Sequence, residues 1–383
     1  MQAMTILYIA NIRLPTEKAH GVQIMKMCEA FARAGAAVEL VVPTRKTSIA
    51  EDPFDYYGVA KVFSITRLRV PDTVAYGQLA FLLHVGLFAI AARRYVRHSK
   101  ANIIYSRDPA LFFFGAFPNT IRAAWEVHTR PTERILRRMR RLPVAMVAIS
   151  NGLKQFLVGH GIAPEHIMFA HDGVSLAEFT LSESRETIRR ALALPQDKVL
   201  IAYVGKYRTM GESKGVEQII EAVGRLHAAR PNIGLLLVGL NADEMDDVRA
   251  LCDRAGLAPD AAYLVGHVEH TKVPRYLKAA DVLVMNYPNT PHYAHSMSPL
   301  KLFEYMASGV PMVSSDLPSI REMLSERTAL LVPPGHTEAL AAALERVVVD
   351  PTEAAKRAAA ARAEIERYTW ERRARDVLEF MAL

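Results

Sequence analysis

A carboxylate in an apolar helix is the first feature of this sequence that indicates chemistry. The stretch SMSPLKLFEYMASGVPMVSSD, residues 296–316, predicts a helix that begins at Pro299 and stops at Gly309, between two apolar strands. Glu304 lies in this helix among large apolar side chains. A covered carboxylate needs hydrogen-bond donors, and the vicinal hydroxyls of a sugar such as ribose can supply them. The alternative is a Glu304 side chain that pairs with Lys301 on a solvated helix face.

The beginning of the same helix is suited to an anion. Ser298 is a favourable N-cap residue and Pro299 a favourable first helical residue. The amides of Leu300 and Lys301 are then expected to point outward, with the positive end of the helix dipole behind them. A helix end of this kind binds phosphate groups.

Two lysines form a second cationic element. In YVGKYRTMGESKGVEQII, residues 203–220, Lys206 follows a predicted strand and Lys214 precedes a predicted helix. Two ammonium groups and the amides after Lys214 could hold a diphosphate without a metal ion. The alternative is two solvated lysines on a surface loop.

Apolar runs of strand length alternate with segments of helical period along the whole chain. The predicted strands are TILYIA, AVELVVP, ANIIYSRD, AAWEVHT and AMVAIS in the first half, and KVLIAYVGK, IGLLLVGLN, AAYLVGHV, DVLVMNYP, VPMVSSD and ALLVPPG in the second. This order predicts an α/β protein with two doubly wound, Rossmann-like domains and a cleft between them, and the length of 383 residues agrees with two domains. Ligands of such sheets bind beyond the carboxyl ends of the strands, where the lysines and the Glu304 helix begin.

The composition is that of an intracellular globular protein. The only cysteines, Cys28 and Cys252, lie far apart and fit a reducing cytoplasm. The N-terminal segment MQAMTILYIANIRLP lacks the pattern of a signal peptide and predicts a first buried strand. The longest apolar run, Leu79 to Ala92, has about 14 residues, which is short of the roughly 20 that span a bilayer. We predict that it forms a core helix rather than an interfacial one.

Positive charge is concentrated in the first half of the chain. Residues 1–180 contain 22 lysines and arginines against 13 carboxylates, whereas the remainder contains 25 against 27. The excess includes the runs RRYVRHSK, from residue 93, and RILRRMRRLP, from residue 134. Nucleic acid, anionic lipid head groups and phosphorylated substrates are possible partners, and solvated helix faces are the alternative. Because these runs lack interleaved aromatic residues, a platform for single-stranded nucleic acid is disfavoured.

Five segments, in order, resemble the retaining glycosyltransferases of family 4, which have a GT-B fold. They are EKAHGVQ, WEVHTRP, AISNGLKQFLVGHGIAPEHIMFAHDGV, the VGK…SKG loop, and SPLKLFEYMASGVPMVSSDLPSIRE, which is the most specific. The terminal YTWERRARDVLEFM resembles the last helix of the family, which crosses back to the N-terminal domain. The resemblance covers essentially the whole length. We expect an acceptor-side domain of residues 1–180 with 366–383, and a donor-binding domain of residues 181–365.

The resemblance implies roles for the residues of the donor motif. Glu304 would bind the ribose of a nucleotide-sugar, and the backbone amides around Ser298, Pro299 and Leu300 would contact phosphate or sugar. At the position of Ser296 the family often has another glutamate, near the donor sugar. The hydrogen bonds to that sugar must therefore differ here, which leaves its identity open.

Other segments receive roles in the same way. The resemblance implies that Lys206 and Lys214 neutralise the donor diphosphate, and Arg208 is expected to share this cationic role. It implies that Val268 lies where the backbone contacts the base. In the N-terminal domain, Gly21 in the first loop would let the backbone approach the donor, and His128 would lie near the transferred sugar.

The resemblance implies a retaining, metal-independent transfer from a UDP- or GDP-linked sugar to a carbohydrate or lipid-linked acceptor, as in polysaccharide or glycolipid synthesis. The sequence contains no H-E-x-x-H, no cysteine cluster and no Asp-x-Asp, so we expect no metal and no cofactor. We expect a cytoplasmic protein that binds an anionic membrane surface peripherally through its basic half, and no nucleic acid.

Two rival functions remain open from the sequence. A nucleotide-sugar epimerase on the same scaffold would need acid and base carboxylates, for which Glu126 and Asp108 are candidates. A catalytically silent subunit that binds a partner through the basic half is the other rival, and Ser296 is its best argument.

Overall fold

The computed structural model describes residues 4–114, 121–209 and 212–382. The chain folds into two compact units: unit 1 contains Met1–Asp172 and Trp370–Leu383, and unit 2 contains Gly173–Thr369. The sequence analysis placed the boundaries between the two domains after residues 180 and 365. Val174 forms a parallel bridge with Thr369, and its amide donates to the carbonyl of Tyr368 at 3.0 Å. This pairing keeps both connecting segments within unit 2.

Unit 1 contains a parallel sheet of seven strands. They are β1 (Thr5–Ile9), β2 (Ala37–Pro43), β3 (Ser64–Leu68), β4 (Ile103–Ser106), β5 (Arg122–Val127), β6 (Val144–Ala148) and β7 (Ile167–Phe169). Their spatial order is β3-β2-β1-β4-β5-β6-β7, and every pair is parallel.

Unit 2 contains a six-stranded parallel sheet and a short hairpin. The strands are β8 (Val199–Val204), β9 (Arg208–Thr209), β10 (Glu212–Ser213), β11 (Ile233–Leu240), β12 (Ala262–Gly266), β13 (Val282–Met285), β14 (Met312–Ser315) and β15 (Leu330–Val332). The sheet order is β12-β11-β8-β13-β14-β15, and β9 pairs with β10 in antiparallel fashion.

Helices connect the strands of both sheets. The helices of unit 1 are α1 (Ala19–Arg33), α2 (Pro53–Tyr57), α3 (Gln78–His98), α4 (Pro109–Phe114), α5 (Glu133–Met139) and α6 (Asn151–Gly159). Those of unit 2 are α7 (Arg185–Ala191), α8 (Val216–Ala229), α9 (Met245–Arg254), α10 (Val273–Ala279), α11 (Pro291–His295), α12 (Leu300–Ser308), α13 (Pro318–Arg321), α14 (Thr337–Val349) and α15 (Pro351–Glu364). The last helix, α16 (Trp370–Ala382), returns to unit 1 and packs against α1.

The central strand of unit 2 is buried on both faces. Leu200, Ala202 and Val204 join the apolar cluster that contains the α12 side chains. Ile201 and Tyr203 join the cluster that contains the α8 side chains. Because side chains of a strand alternate between its faces, α12 and α8 cover opposite sides of β8.

The structure contains elements that the sequence did not predict. β3 is partly exposed along its length, and β7 is apolar but has only three residues, so neither shows an apolar run of ordinary strand length. The segment after Lys206, expected to be a loop, contains the hairpin of β9 and β10.

The interpretation of the apolar run at Leu79 as a core helix is wrong. It forms the first part of α3, which buries His84, Phe88 and Ala92 but leaves Leu79 84% and Leu82 57% exposed. Among the described residues, α3 is the one helix long and apolar enough to cross a membrane, with a mean hydropathy of 1.5.

Candidate functional site

The candidate site lies at the carboxyl end of β8. In the sheet, β11 and β12 lie on one side of β8, and β13, β14 and β15 lie on the other. The direction in which successive strands are added therefore reverses at β8. Open α/β sheets bind ligands at this switch point, beyond the carboxyl ends of the strands. Lys206 lies two residues after the end of β8, and Asn286 directly follows β13.

A close backbone approach places Lys214 beside the same point. Gly215 precedes α8 with a positive φ of 75°, which a residue with a side chain rarely adopts. A Cβ at Gly215 would collide with the carbonyl oxygen of Asn286. The side-chain Nδ2 of Asn286 also lies 3.3 Å from the carbonyl oxygen of Gly215 and donates to it. The absence of a side chain at Gly215 therefore brings the beginning of α8 against the end of β13.

Two predicted cationic residues share this edge. Burial, with the nearby charge of Lys206, lowers the pKa of Lys214 to about 8. Lys214 is therefore still mostly protonated at pH 7, in a place where a positive charge is unfavourable without a counter-ion. A polyanion such as a diphosphate would supply that counter-ion.

Helix α12 begins one residue later than predicted. Pro299, not Ser298, is the N-cap, and its side chain makes no capping hydrogen bond. Ser298 was expected to be the cap; it lies before the helix and is 8% exposed. The helix ends as predicted at Gly309, which is left-handed with a φ of 68°. Leu300 is the first residue of the helix, and anion binding by the first amides of α12 stays a prediction.

The hydroxyl of Tyr305 fixes α12 to the end of β8. The amide of Val204 donates to the Tyr305 hydroxyl oxygen at 2.8 Å, and this hydroxyl lies 3.3 Å from the Val204 carbonyl. Tyr305 is fully buried. Lys301, in the first turn of α12, also reaches this strand end, where its Nζ lies close to Gly205.

Glu304 is paired, but not with Lys301. Its Oε1 lies 2.7 Å from Nε2 of His270, and both side chains are mostly covered. Because a carboxylate only accepts, His270 donates from Nε2. This contact uses one of the two carboxylate oxygens of Glu304, so a ribose diol remains a suitable partner for the other. His270 follows β12 in the segment GHVEH, and its position after a strand was the available signal for it.

Lys301 is buried beneath the site instead. It is 8% exposed, and its ammonium nitrogen has no hydrogen-bond partner. This nitrogen lies 3.6 Å from the centre of the Tyr203 ring. The predicted alternative, a Lys301–Glu304 pair on a solvated face, is wrong because α12 is covered on this side.

Ser296 and Val268 lie close to this edge in the chain. Ser296 is 1% exposed, and its hydroxyl has no hydrogen-bond partner. Val268 follows β12 and packs against the core of unit 2. Their proposed contacts with donor sugar and base stay predictions.

Arg208 is occupied by its own neighbours. It begins β9 and is exposed, with its guanidinium carbon 4.9 Å from the centre of the Tyr207 ring. Its Nη2 lies 4.0 Å from a carboxylate oxygen of Glu217. Its predicted share in the cationic site stays a prediction.

Several buried polar atoms of this region lack partners. They belong to segments that follow the carboxyl ends of the parallel strands or to helix α12: Asn286 Oδ1, Ser296 Oγ, His270 Nδ1 and Lys301 Nζ. Buried polar groups normally have partners, because an unpaired one costs about 1–3 kcal/mol. An unsatisfied set of this kind indicates a place for a polar ligand.

Gly21 and His128 belong to unit 1. Gly21 was expected in a loop but lies in the first turn of α1, where a Cβ would collide with the Tyr57 hydroxyl. That hydroxyl accepts from the amide of Thr16 and donates to its carbonyl, both at 2.7 Å. The small size of Gly21 therefore serves this packing.

His128 belongs to a buried network around Glu126. His128 Nε2 lies 2.5 Å from Glu126 Oε1, and Arg373 of α16 lies 3.3 Å from the other oxygen. Gln23 Nε2 also donates to Glu126, at 2.6 Å. Although burial favours its neutral form, Arg373 and His128 hold the pKa of Glu126 well below its usual range. The carboxylate is therefore ionised and fully engaged.

His128 is neutral at pH 7. Burial, together with the charge of Arg107, lowers its pKa to about 4, despite the attraction of Glu126. Since Glu126 accepts its Nε2–H, Nδ1 carries the lone pair and can accept a hydrogen bond. This state suits the orientation of a hydroxyl group.

Two family models match separate parts of the chain. Residues 20–178 match the family described as Glycosyltransferase Family 4, and residues 198–350 match Glycosyl transferases group 1. Together they cover about four-fifths of the chain. Each match lies mainly within one of the two units.

Curated relatives share part of the sequence. The putative teichuronic acid biosynthesis glycosyltransferase TuaC of Bacillus subtilis (strain 168) is 28% identical over 180 residues, 45% of this chain and 39% of TuaC. The phosphatidyl-myo-inositol mannosyltransferase of Mycolicibacterium smegmatis is 29% identical over 177 residues, 46% of this chain and 43% of that protein. The chain thus spans less than half the length of these relatives.

Solved structures share the fold. Sucrose-phosphate synthase (tll1590) from Thermosynechococcus elongatus has a TM-score of 0.78 and 20% identity, over 99% of this chain and 98% of that one. Anabaena Alr3699/HepE, in complex with UDP and glucose, has a TM-score of 0.74 and 17% identity, over 99% of each chain. The prediction of a GT-B fold with two Rossmann-like parallel sheets is confirmed.

Proposed function

Because the chain belongs to the family 4, group 1 glycosyltransferases, we propose that it transfers a sugar from a UDP- or GDP-linked donor to a hydroxyl acceptor. The acceptor would be a carbohydrate or a lipid-linked sugar of a cell-surface polysaccharide or glycolipid. The names of the relatives support this class: one is assigned to teichuronic acid biosynthesis, and one is a phosphatidyl-myo-inositol mannosyltransferase.

The observation that carries the proposal is the set of unpaired polar atoms at the switch point of unit 2. A nucleotide-sugar offers hydroxyl groups that could donate to Asn286 Oδ1 and pair with Ser296 Oγ. Glu304 would accept from the ribose hydroxyls through the oxygen that His270 leaves available. Alr3699/HepE, which has the same fold, has been solved in complex with UDP-glucose.

We assign the main catalytic effect to stabilisation of the leaving diphosphate. As the bond between the sugar and phosphate breaks, negative charge grows on the diphosphate. Lys206, Lys214 and the first amides of α12 would balance that charge. This arrangement requires no metal ion. Among the described residues, no group of three or more His, Cys, Asp or Glu side chains could hold one.

We further propose retention of the anomeric configuration. In this mechanism the leaving phosphate oxygen takes the proton of the acceptor hydroxyl, which attacks from the side of the leaving group. Glu126 is unsuited to act as a nucleophile, since Arg373, Gln23 and His128 occupy its oxygens. His128 would accept a hydrogen bond from a sugar hydroxyl through Nδ1 and act as a positioning residue.

A transfer assay tests the function. The protein is incubated with UDP- and GDP-sugars and a panel of glycoside and lipid-linked acceptors, and free UDP or GDP is measured with the NMR spectrum of the product. We expect acceptor-dependent release and retained configuration, both lost in Lys214→Ala. Epimerisation of the donor without acceptor would favour the epimerase. Donor binding without turnover across the panel would favour the silent subunit.

The two candidate carboxylates do not meet the acid–base requirement of an epimerase. Glu126 is ionised and held by a cation, so it is a poor proton donor. Asp108 Oδ2 accepts from the amide of Asn11 at 2.6 Å and serves the loop after β1. Neither carboxylate belongs to unit 2, where the donor motif lies.

We propose that unit 1 binds an anionic membrane through α3. Leu79, Leu82, Leu83 and Ile90 are each at least 50% exposed and follow one helical stripe. Arg94 and Arg97 continue the same stripe and are exposed. An apolar stripe that ends in arginines fits the boundary between acyl chains and anionic head groups.

Vesicle flotation tests the membrane proposal. We expect the protein to float with vesicles that contain phosphatidylglycerol and to float weakly with phosphatidylcholine alone. Leu82→Glu should abolish flotation, whereas Val349→Glu, at a residue of unit 2 that is also 57% exposed, should not. Equal binding of wild-type protein to both vesicles would refute the role of charge, and an unaffected Leu82→Glu would refute the role of the stripe.

A further inference from the structure

Lys301 is a buried lysine of unit 2 to which the roles above assign no function. Its side chain is 8% exposed, and Nζ has no hydrogen-bond partner. A buried lysine without a hydrogen-bond partner is unfavourable, because its amine either carries an uncompensated charge or gives up its proton, and proteins rarely retain one. A structural role alone would be met better by methionine or leucine, which have similar volume and no desolvation cost.

The position of Nζ is set by a glycine at the end of β8. Nζ lies 2.6 Å from the place that a Cβ of Gly205 would occupy. Gly205 has a φ of +141° and immediately precedes Lys206. Lys301 thus extends from the first turn of α12 into the space that the missing side chain of Gly205 leaves. Its nitrogen lies at the switch point, next to the backbone that carries Lys206.

Aromatic rings hold Lys301 in this place. Nζ is 3.6 Å from the centre of the Tyr203 ring and 5.8 Å from that of Tyr287. A ring face attracts a cation but does not replace a hydrogen-bond acceptor. The rings therefore position the amine and leave its donor capacity unused.

We propose that Lys301 supplies a third ammonium group to the diphosphate of the donor. This inference rests on the proposed function, because it assigns a ligand to the same site. Lys206 and Lys214 would approach the phosphates from the loop before α8, and Lys301 from the first turn of α12 beneath them. A diphosphate oxygen would be the acceptor that Nζ lacks.

Binding through Lys301 is expected to take up a proton. Burial, with the charge of Lys214, lowers the pKa of Lys301 well below its ordinary value, and Glu304 opposes this only in part. The other groups that face it, Tyr203 and Tyr287, are uncharged, because burial raises the pKa of both well above the ordinary value. Burial therefore favours the neutral amine of Lys301 in the free protein, and an arriving diphosphate favours the ammonium form.

Proton uptake can be measured directly. Titration calorimetry of wild-type protein with UDP, GDP and inorganic pyrophosphate at pH 7, in buffers of low and high ionisation enthalpy, gives the number of protons bound with each ligand. We expect net proton uptake that exceeds the share of Lys214. Lys214, with a pKa of about 8, can contribute only about 0.1 of a proton at this pH.

A substitution identifies the source of the proton. Lys301→Met should abolish the uptake and weaken diphosphate binding about 10- to 100-fold, the usual range for one charge-assisted hydrogen bond. Lys272→Met makes the same chemical change at a lysine whose side chain is 60% exposed, and it should leave both quantities unchanged. The melting temperature of each variant shows whether it is folded.

The outcomes separate the inference from the proposed function. Nucleotide binding without proton uptake, or with uptake that persists in Lys301→Met, would overturn the role of Lys301 and leave the function intact. Pyrophosphate binding with Lys301-dependent uptake, but no binding of UDP or GDP, would support Lys301 and overturn the proposed donor. If Lys301→Met failed to fold, the wild-type proton count would still decide, since uptake of about 0.1 or less refutes the inference.

Discussion

Replacing Lys214 by methionine is expected to stabilise unit 2 and to weaken diphosphate binding at the same time. Burial and Lys206 lower the pKa of Lys214 from 10.5 to about 8 in the folded protein. At 1.36 kcal/mol per pKa unit this shift corresponds to about 3 kcal/mol of destabilisation at pH 7, which partial solvent access reduces to roughly 2 kcal/mol. Lys214→Met removes this cost together with the charge that a diphosphate would need.

The pH dependence gives the prediction its sign. Because the pKa of Lys214 is lower in the folded state, the unfolded chain binds more protons between pH 8 and 10.5. The free energy of unfolding of the wild type therefore gains a contribution as pH rises through this window. Lys214→Met lacks this contribution, so its advantage is greatest below pH 8 and disappears toward pH 10.5.

The assay must report on unit 2 alone. Both tryptophans, Trp125 and Trp370, belong to unit 1, so their fluorescence does not follow unit 2. Urea unfolding at pH 7.0 and 9.5 can instead be followed by pulsed hydrogen exchange at one fixed pH, with mass spectrometry of peptides from β8 and α8. Lys272→Met serves as the control.

Two results would refute the reasoning. One is a Lys214→Met variant that is less stable than the wild type at pH 7, which would mean that the ammonium has a favourable partner in the free protein. The other is an advantage that does not shrink between pH 7.0 and 9.5, since the change would then act through packing rather than charge. In either case the cationic site would not be poised for an anion.

Three further predictions concern single contacts. Glu304→Gln should weaken UDP or GDP binding about 10- to 100-fold, because an amide oxygen accepts hydrogen bonds from ribose hydroxyls less well than a carboxylate does. Calorimetry measures the affinity, and an unchanged value would contradict the ribose role. Arg373→Met should lower the free energy of unfolding of unit 1 by about 3–5 kcal/mol, since Glu126 loses its buried counter-ion, and tryptophan fluorescence in urea measures this. Gly215→Ala should cost more than the ~1–2 kcal/mol of its positive φ, because its Cβ would also collide with the Asn286 carbonyl oxygen. It should abolish diphosphate binding by moving Lys214, and thermal melting with and without UDP distinguishes the two effects.

Much of the candidate site could be predicted from local patterns. Lys206 follows a strand and Lys214 precedes a helix, and both elements have clear apolar periodicity. The position of these lysines at a strand end could therefore be predicted from the alternation of strands and helices. The end of α12 at Gly309 followed from the helix-stopping property of glycine. The beginning of α12 was displaced by one residue, because capping depends on backbone angles that residue types only bias.

Contacts between distant residues could not be predicted in this way. His270 and Glu304 are 34 positions apart, and their pairing depends on the order of β12 and β13 in the sheet. The role of Gly21 depends on Tyr57, and the exposure of α3 depends on which of its faces unit 1 covers.

The sequence by itself determined the α/β class and the parallel sheets, and it indicated which polar residues follow the strands, because these features depend on the period of apolar residues. Only the tertiary structure decided which polar groups lack partners, which lysine is buried and which carboxylate is already occupied. Those properties arise from burial and electrostatic contact between segments far apart in the chain, and no local pattern encodes them.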